Sequence, residues 1–181
     1  LLDEADFSQE ERGLMKNSQL LSAKPQFYLL NGRDEEVPAE IIESFKKNQW
    51  PFLIVDVLTE FEAADSSFIR EERISLGLPA ESELDVLIKK SYGLLNLLTF
   101  FTTGPDETRA WTVKKGTRAP QAAGVIHSDF ETHFIKAEVI AYADLIAAGG
   151  FAPAREKGLI RTEGKEYVVQ DGDVIEIKHN A

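Results

Sequence analysis

The chain has 181 residues, 43% of them apolar, enough for one ordinary domain or two small ones. It has no run of the ~18 apolar residues that a membrane span needs, no secretory leader pattern at its start, and no cysteine for a disulfide, a thiolate metal site or a thiol nucleophile. The net charge of −11 is uneven: residues 1–97 carry 10 Lys/Arg against 19 Asp/Glu, and residues 98–181 carry 10 against 12. The acidic part is a poor match for bare nucleic acid, and only the second part leaves room for a local basic patch. No membrane or DNA partner is expected, and the absence of cysteine fits a cytoplasmic protein. The chain opens at Leu1 without an initiator methionine, which reads as a piece of something longer.

Residues 1–19 are polar and helix-compatible, with Ser8 and Glu11 in a capping-box pattern. The run Gln26–Leu30 reads as a buried strand, ended by a turn at Asn31-Gly32-Arg33-Asp34. Pro38 suits the first turn of a helix whose apolar face is Ile41, Ile42 and Phe45, and Trp50 to Val57 reads as a second strand. This is the strand–helix–strand order of a parallel α/β sheet. Two strands alone make a small sheet with unpaired edges. Glu83 to Leu95 carries Leu84, Leu87, Ile88, Tyr92 and Leu95 at helical spacing.

After Leu97 the character changes to short mixed elements. Thr99–Thr102 and Arg109–Val113 are predicted strands around Gly104-Pro105-Asp106, and Ala119–Val125 is a short helix with Pro120 near its start. Phe134–Ile140 alternates as a strand does, and Ala143–Ala148 is a short helix stopped by Gly149-Gly150. Tyr167–Val169 and Val174–Ile177 are predicted to pair around Asp171-Gly172-Asp173. The set suggests an α+β unit.

The run Phe100 to Val113, then Lys115-Gly116-Thr117 with Ala119 to Gly124, Ile126 to Glu131, Gly164 to Tyr167 and Val169 to Val174 together resemble the TGS domain of the YchF family. The similarity extends over residues ~20–181 and is most specific from ~97 onward, well beyond a lone short motif. The resemblance implies an Obg-superfamily P-loop protein that hydrolyses ATP or GTP with Mg²⁺ and associates with ribosomal RNA or protein. In that layout residues 1–19 are the end of a helical (coiled-coil) insertion. Residues 20–96 are the last part of the G domain, and 97–181 are the TGS domain. The implied fold is an α/β fragment of a P-loop G domain followed by an α+β, ubiquitin-like β-grasp domain. The Gly-rich phosphate loop, the switch regions and the Mg²⁺-binding acid are missing from this sequence, so the chain as given is expected to hydrolyse nothing.

By position, Asn31-Gly32-Arg33-Asp34 stands where the family has its base-reading Asn-x-x-Glu. Asn31, Gly32 and Asp34 are therefore candidate base-binding residues of the intact protein. Asp34 is shorter than the family's Glu and leans towards guanine, while Gly32 offers no stem to stack on a base. Read from the residues alone, the same segment is an Asx turn. Val55-Asp56-Val57-Leu58 stands where the family has a small-residue loop beside the base, and it is bulkier and more acidic. In the second part, Trp111, Lys114, Lys115 and Arg118 form a candidate RNA-contact patch, with His127 as a further partner contact; the alternative is a solvated face. His127, Asp129, Glu131 and His133 would share one side of an extended strand, a ligand set a Zn²⁺-like metal could use. A polar loop without metal is the competing reading. A binding module for RNA or protein with no nucleotide affinity is the rival to the nucleotide-dependent regulator.

Overall fold

The computed structural model describes residues 7–17, 20–21, 24–65, 70–75, 79–104 and 107–180, and it divides into Leu1–Leu95 and Asn96–Ala181. In the first unit, helix α1 (Gln9–Asn17) is capped by its sequence signal. Ser8 Oγ accepts the Glu11 N–H at 3.3 Å, and Glu11 Oε2 takes the Ser8 N–H at 2.8 Å. Strand β1 (Tyr28–Asn31) leads through helix α2 (Ala39–Lys47), entered at Pro38, to strand β2 (Phe52–Val55). The two strands pair in parallel from Tyr28↔Phe52 to Asn31↔Val55. An aromatic cluster packs α2 against them. Phe45 lies 5.1 Å from Tyr28 and 5.5 Å from both Trp50 and Phe52, in edge-on contacts.

The second strand stops at Val55, two residues before its predicted end. Asp56 turns the chain by capping helix α3 (Val57–Asp65): its carboxylate accepts the Thr59 N–H at 3.1 Å and the Thr59 hydroxyl at 2.6 Å. Helix α4 (Arg70–Ser75) then brings Arg73 into a buried ion pair with Glu60 of α3. Helix α5 (Glu83–Leu94), capped by Ser82, whose hydroxyl accepts the Leu84 N–H, completes the unit.

In the second unit, β3 (Leu97–Thr103) and β4 (Thr108–Lys114) form an antiparallel hairpin. Of its predicted turn, Pro105 and Asp106 lie outside the described residues. Helix α6 (Ala119–Ile126) and the one-turn α7 (Ser128–Thr132) cross to β5 (Phe134–Ala141). Helices α8 (Tyr142–Ala148) and α9 (Phe151–Glu156), strand β6 (Arg161–Glu163) and strand β7 (Asp173–His179) follow. The strand order is β4-β3-β7-β5-β6, with β7 parallel to β3 and antiparallel to β5.

One sheet face buries Leu98, Phe100, Val113, Ala137, Val139 and Ile175 under α6, whose Ala119, Ala122 and Ala123 let its backbone approach closely. The other face buries Ile140 and Val174 against Ala154 of α9 and Leu145 of α8. A Cβ on Gly124 would fall 3.1 Å from Glu131 Cβ, so this glycine sets how tightly α6 meets α7.

The predicted pairing of Tyr167–Val169 with Val174–Ile177 does not form. Val168 makes a single bridge to Arg118, and the Val169 N–H donates to Thr117 O. The reason is local. Buried Asp173 accepts the Gln170 N–H at 2.8 Å and the Tyr167 hydroxyl at 2.7 Å, folding 167–173 back on itself instead of into a hairpin. Burial and the Asp173 carboxylate push the Tyr167 hydroxyl well up, holding it as a donor. β7 is thereby free to take the centre of the sheet.

Candidate functional site

In open α/β sheets, ligands bind outside the carboxyl ends of the strands. At that end of β1 and β2 the chain places Asn31, the 32–38 loop and the start of α3. The Val57 N–H donates to Asn31 Oδ1 at 3.2 Å, and the Gly32 N–H donates to Val55 O at 3.0 Å. Asn31 therefore clasps the first turn of α3 to the tip of β1. Gly32 adopts φ +143°, a backbone angle that side chains rarely allow. Arg33 Nε reaches Asp56 Oδ2 at 3.2 Å, and its own N–H donates to Glu36 Oε2 at 3.0 Å. Asp34 is exposed at the rim.

The segment Val55–Leu58, predicted as a loop beside a base, is instead a strand end, a helix cap and a helical turn. Two carboxylates behind it are held in opposite directions. Asp56 is lowered by its bonds from Thr59 and then by Arg33. Glu83, whose Oε2 accepts the Asp56 N–H at 3.2 Å, is raised by burial first and by the charge of Glu60 next.

The second unit separates the proposed basic patch. Side chains alternate along a regular strand, so Trp111 points into the α6 side of β4 while Lys114 points to the other face. Lys115 sits in the turn after β4, and Arg118 is paired with Glu166 at 2.7 Å. Trp111 and Lys114 thus lie on opposite faces of the sheet. The Trp111 indole N–H donates to Thr102 Oγ1 at 2.8 Å, and the Arg109 guanidinium lies 4.3 Å over its ring.

The alternation of His127, Asp129, Glu131 and His133 also fails as a metal set, because α7 is helical where an extended strand was needed. Among the described residues no group of three imidazoles or carboxylates could hold a metal. His127 instead caps α7, its Nδ1 accepting the Asp129 N–H at 3.3 Å.

What the fold assembles is an open cleft of about 500 Å³ between the α6–α7 corner and the first half of β4. Glu107, Arg109 and Trp111 line one side, and His127, Asp129, Phe130 and His133 the other, with His179 and Asn180 at the end of β7. All three histidines of the sequence meet here. Phe130 and His179 stack at 4.3 Å with 24° between planes, and His127 lies 5.8 Å from Phe130. Sequence reading missed Arg109, Phe130 and His179 as partners. The period-2 spacing of Arg109 and Trp111 was a signal for the first, whereas nothing local could bring His179 to Phe130.

The sequence profile of the YchF-GTPase_C family, described as a protein of unknown function (DUF933), matches residues 97–180. The chain is 46% identical to the ribosome-binding ATPase YchF of Bacillus subtilis (strain 168), over 97% of this chain and 50% of that protein. It is 35% identical to the Obg-like ATPase 1 of Gallus gallus, over 97% of this chain and 46% of that protein. The solved structure of the Schizosaccharomyces pombe YchF GTPase superposes with a TM-score of 0.79 at 34% identity, covering 98% of this chain and 49% of the other. The chain thus spans about half the length of the curated relatives it matches. With the profile on the second unit and these likenesses along nearly the whole chain, the protein belongs to the YchF family and carries its C-terminal domain.

Proposed function

We propose that the chain supplies the base-recognition corner and the interaction domain of a cytoplasmic, ribosome-associated YchF-like P-loop hydrolase using ATP or GTP with Mg²⁺. Residues 1–19 close a helical insertion, 20–96 complete a G domain, and 97–181 form a TGS domain of β-grasp type. The grasp reading is supported by the β4-β3-β7-β5-β6 order, in which the last strand inserts parallel to the first. Ribosome association comes from the relatives named ribosome-binding ATPases.

The observation that carries the nucleotide reading is the Asn31 clasp at the carboxyl ends of two parallel strands. Its carbonyl is committed to Val57, leaving the amide nitrogen as the donor it can offer a base. Asp34 at the rim offers a carboxylate to paired donors such as those of guanine, and Gly32 keeps the approach open. These residues fit a base. They do not fit phosphates or Mg²⁺, because the sequence has no Gly-x-x-x-x-Gly-Lys-Ser/Thr loop. That chemistry is assigned to the remainder of the intact protein.

The test is ATP and GTP affinity in the full-length protein. Asn31→Ala should weaken both nucleotides, by removing the clasp and the amide. Asp34→Glu should shift the GTP/ATP ratio towards ATP, since a carboxylate facing adenine N1 without a donor costs about 1–3 kcal/mol. If neither substitution moves affinity or ratio, 31–34 is only a turn. The module reading, RNA or protein binding without nucleotide, then takes its place.

A further inference from the structure

We propose that the cleft of the second unit takes one unstacked nucleobase of single-stranded RNA, gripped by stacking and not by phosphate charge. The proposal rests on the ribosome-binding reading and names the surface that would make the contact. Two flat groups line the cleft: Trp111 with the Arg109 guanidinium stacked over its ring at 4.3 Å, and the Phe130–His179 stack at 4.3 Å. Every base has a π-face, and single-stranded RNA is recognised by stacking such faces on aromatic and guanidinium planes. The rim supplies groups that can pair with a base edge: Glu107, Asp129, His127 and the Asn180 amide.

The charge decides against a phosphate funnel. Arg109 stands against Glu107 and Asp129 in the cleft, and residues 98–181 are near neutral. Of the three cations expected to form a patch, Lys114 points to the sheet face opposite Trp111, Lys115 lies in the turn after β4, and Arg118 is paired with Glu166. Binding carried by the cleft should therefore depend weakly on salt. With Arg109 as its one phosphate contact, log K against log salt has a slope of about −0.7. Binding through Lys114, Lys115 and Arg118 would give about −2.

Trp50 and Trp111 are the only tryptophans, so the Trp50→Phe chain makes Trp111 a reporter inside the cleft. A short oligouridylate titrated into this 181-residue chain should quench Trp111 emission with the shallow salt slope, and a duplex RNA of the same length should not. His179→Ala, at an exposed position, should weaken the single strand roughly tenfold, and His179→Phe should restore it by keeping the stack. Equal quenching by the duplex, a slope near −2, or no quenching at all would overturn the proposal. Ribosome co-sedimentation of the same chains separates the two ideas. If the wild-type chain does not sediment with ribosomes, the ribosome-binding reading fails, and the oligonucleotide titration still decides the cleft. If sedimentation is lost in His179→Ala while free RNA never quenches Trp111, the cleft holds a protein side chain and the RNA assignment is wrong.

Discussion

Arg73 and Glu60 form an ion pair whose side chains are 8% and 10% exposed, and the loss of one partner should unsettle the first unit out of proportion to one surface charge. Arg73 also donates from Nε to Pro79 O at 3.0 Å, and Glu60 accepts the Ser82 hydroxyl at 2.9 Å. The pair thus ties α3, α4 and the start of α5 together directly behind the Asn31–Asp56 corner. Arg73→Ala removes the ion pair and the Pro79 bond, leaving the Glu60 carboxylate buried with one hydroxyl partner and Glu83 close by. Breaking a buried pair on one side costs about 3–5 kcal/mol, against total stabilities of about 5–15 kcal/mol for a domain. The assay is urea unfolding followed at Trp50, in a Trp111→Phe background, because Trp50 lies in the aromatic cluster of this unit. The double substitution Glu60→Gln with Arg73→Met keeps the Ser82 acceptor and removes both charges, so it should recover most of the loss. A loss below about 1 kcal/mol in Arg73→Ala would show that the pair behaves as a solvated one, and the account of the corner's support would fall.

Phe100→Ala should destabilise the second unit by about 3–5 kcal/mol, measured at Trp111 in the Trp50→Phe background, because Phe100 is fully buried in its main core. Glu83→Gln should stabilise the first unit at neutral pH. Glu83 is raised above its ordinary value of 4.5, so its charged form is disfavoured in the fold. The penalty is absent below that value and sets in as pH rises through it, so the gain should vanish in unfolding curves taken below pH 4.5. The chain as given should release no phosphate from ATP or GTP above a no-protein control, since the residues present offer no phosphate or Mg²⁺ cradle.

Local patterns carried most of the fold. The parallel β1–α2–β2 unit was legible from two apolar runs around a Pro-led amphipathic helix, and α5 from its spacing. What escaped had no local signature. β6 is three residues, Arg161–Glu163, polar and on the sheet edge, so no apolar run marks it. α7 is a single turn in which His, Asp and Glu alternate by sequence, and the alternation imitated a strand. The partners of β7 were misassigned because Asp173 folds its own upstream residues, a side-chain choice that hydrophobic pattern cannot show. Asn31 was placed by resemblance, but its bond to Val57 could be seen only once Asp56 was known to cap a helix. The cleft was the least visible feature, since its walls come from β4, α7 and the end of β7.

The position of β7 also governs how the second unit can come into being. Its seven residues are the bridge between the β3–β4 hairpin and the β5–β6 pair, which do not touch as strands without it. Until Asp173–His179 is in place the unit is two half-sheets with open edges, and Leu98, Phe100 and Val139 have no continuous floor. Its partner β3 lies at the other end of the unit's sequence, so closure waits on a long loop, the kind of non-local pairing that slows folding. A protease cut or a stop codon ahead of Asp173 would remove one strand of the five, yet it would leave two half-sheets with nothing to join them.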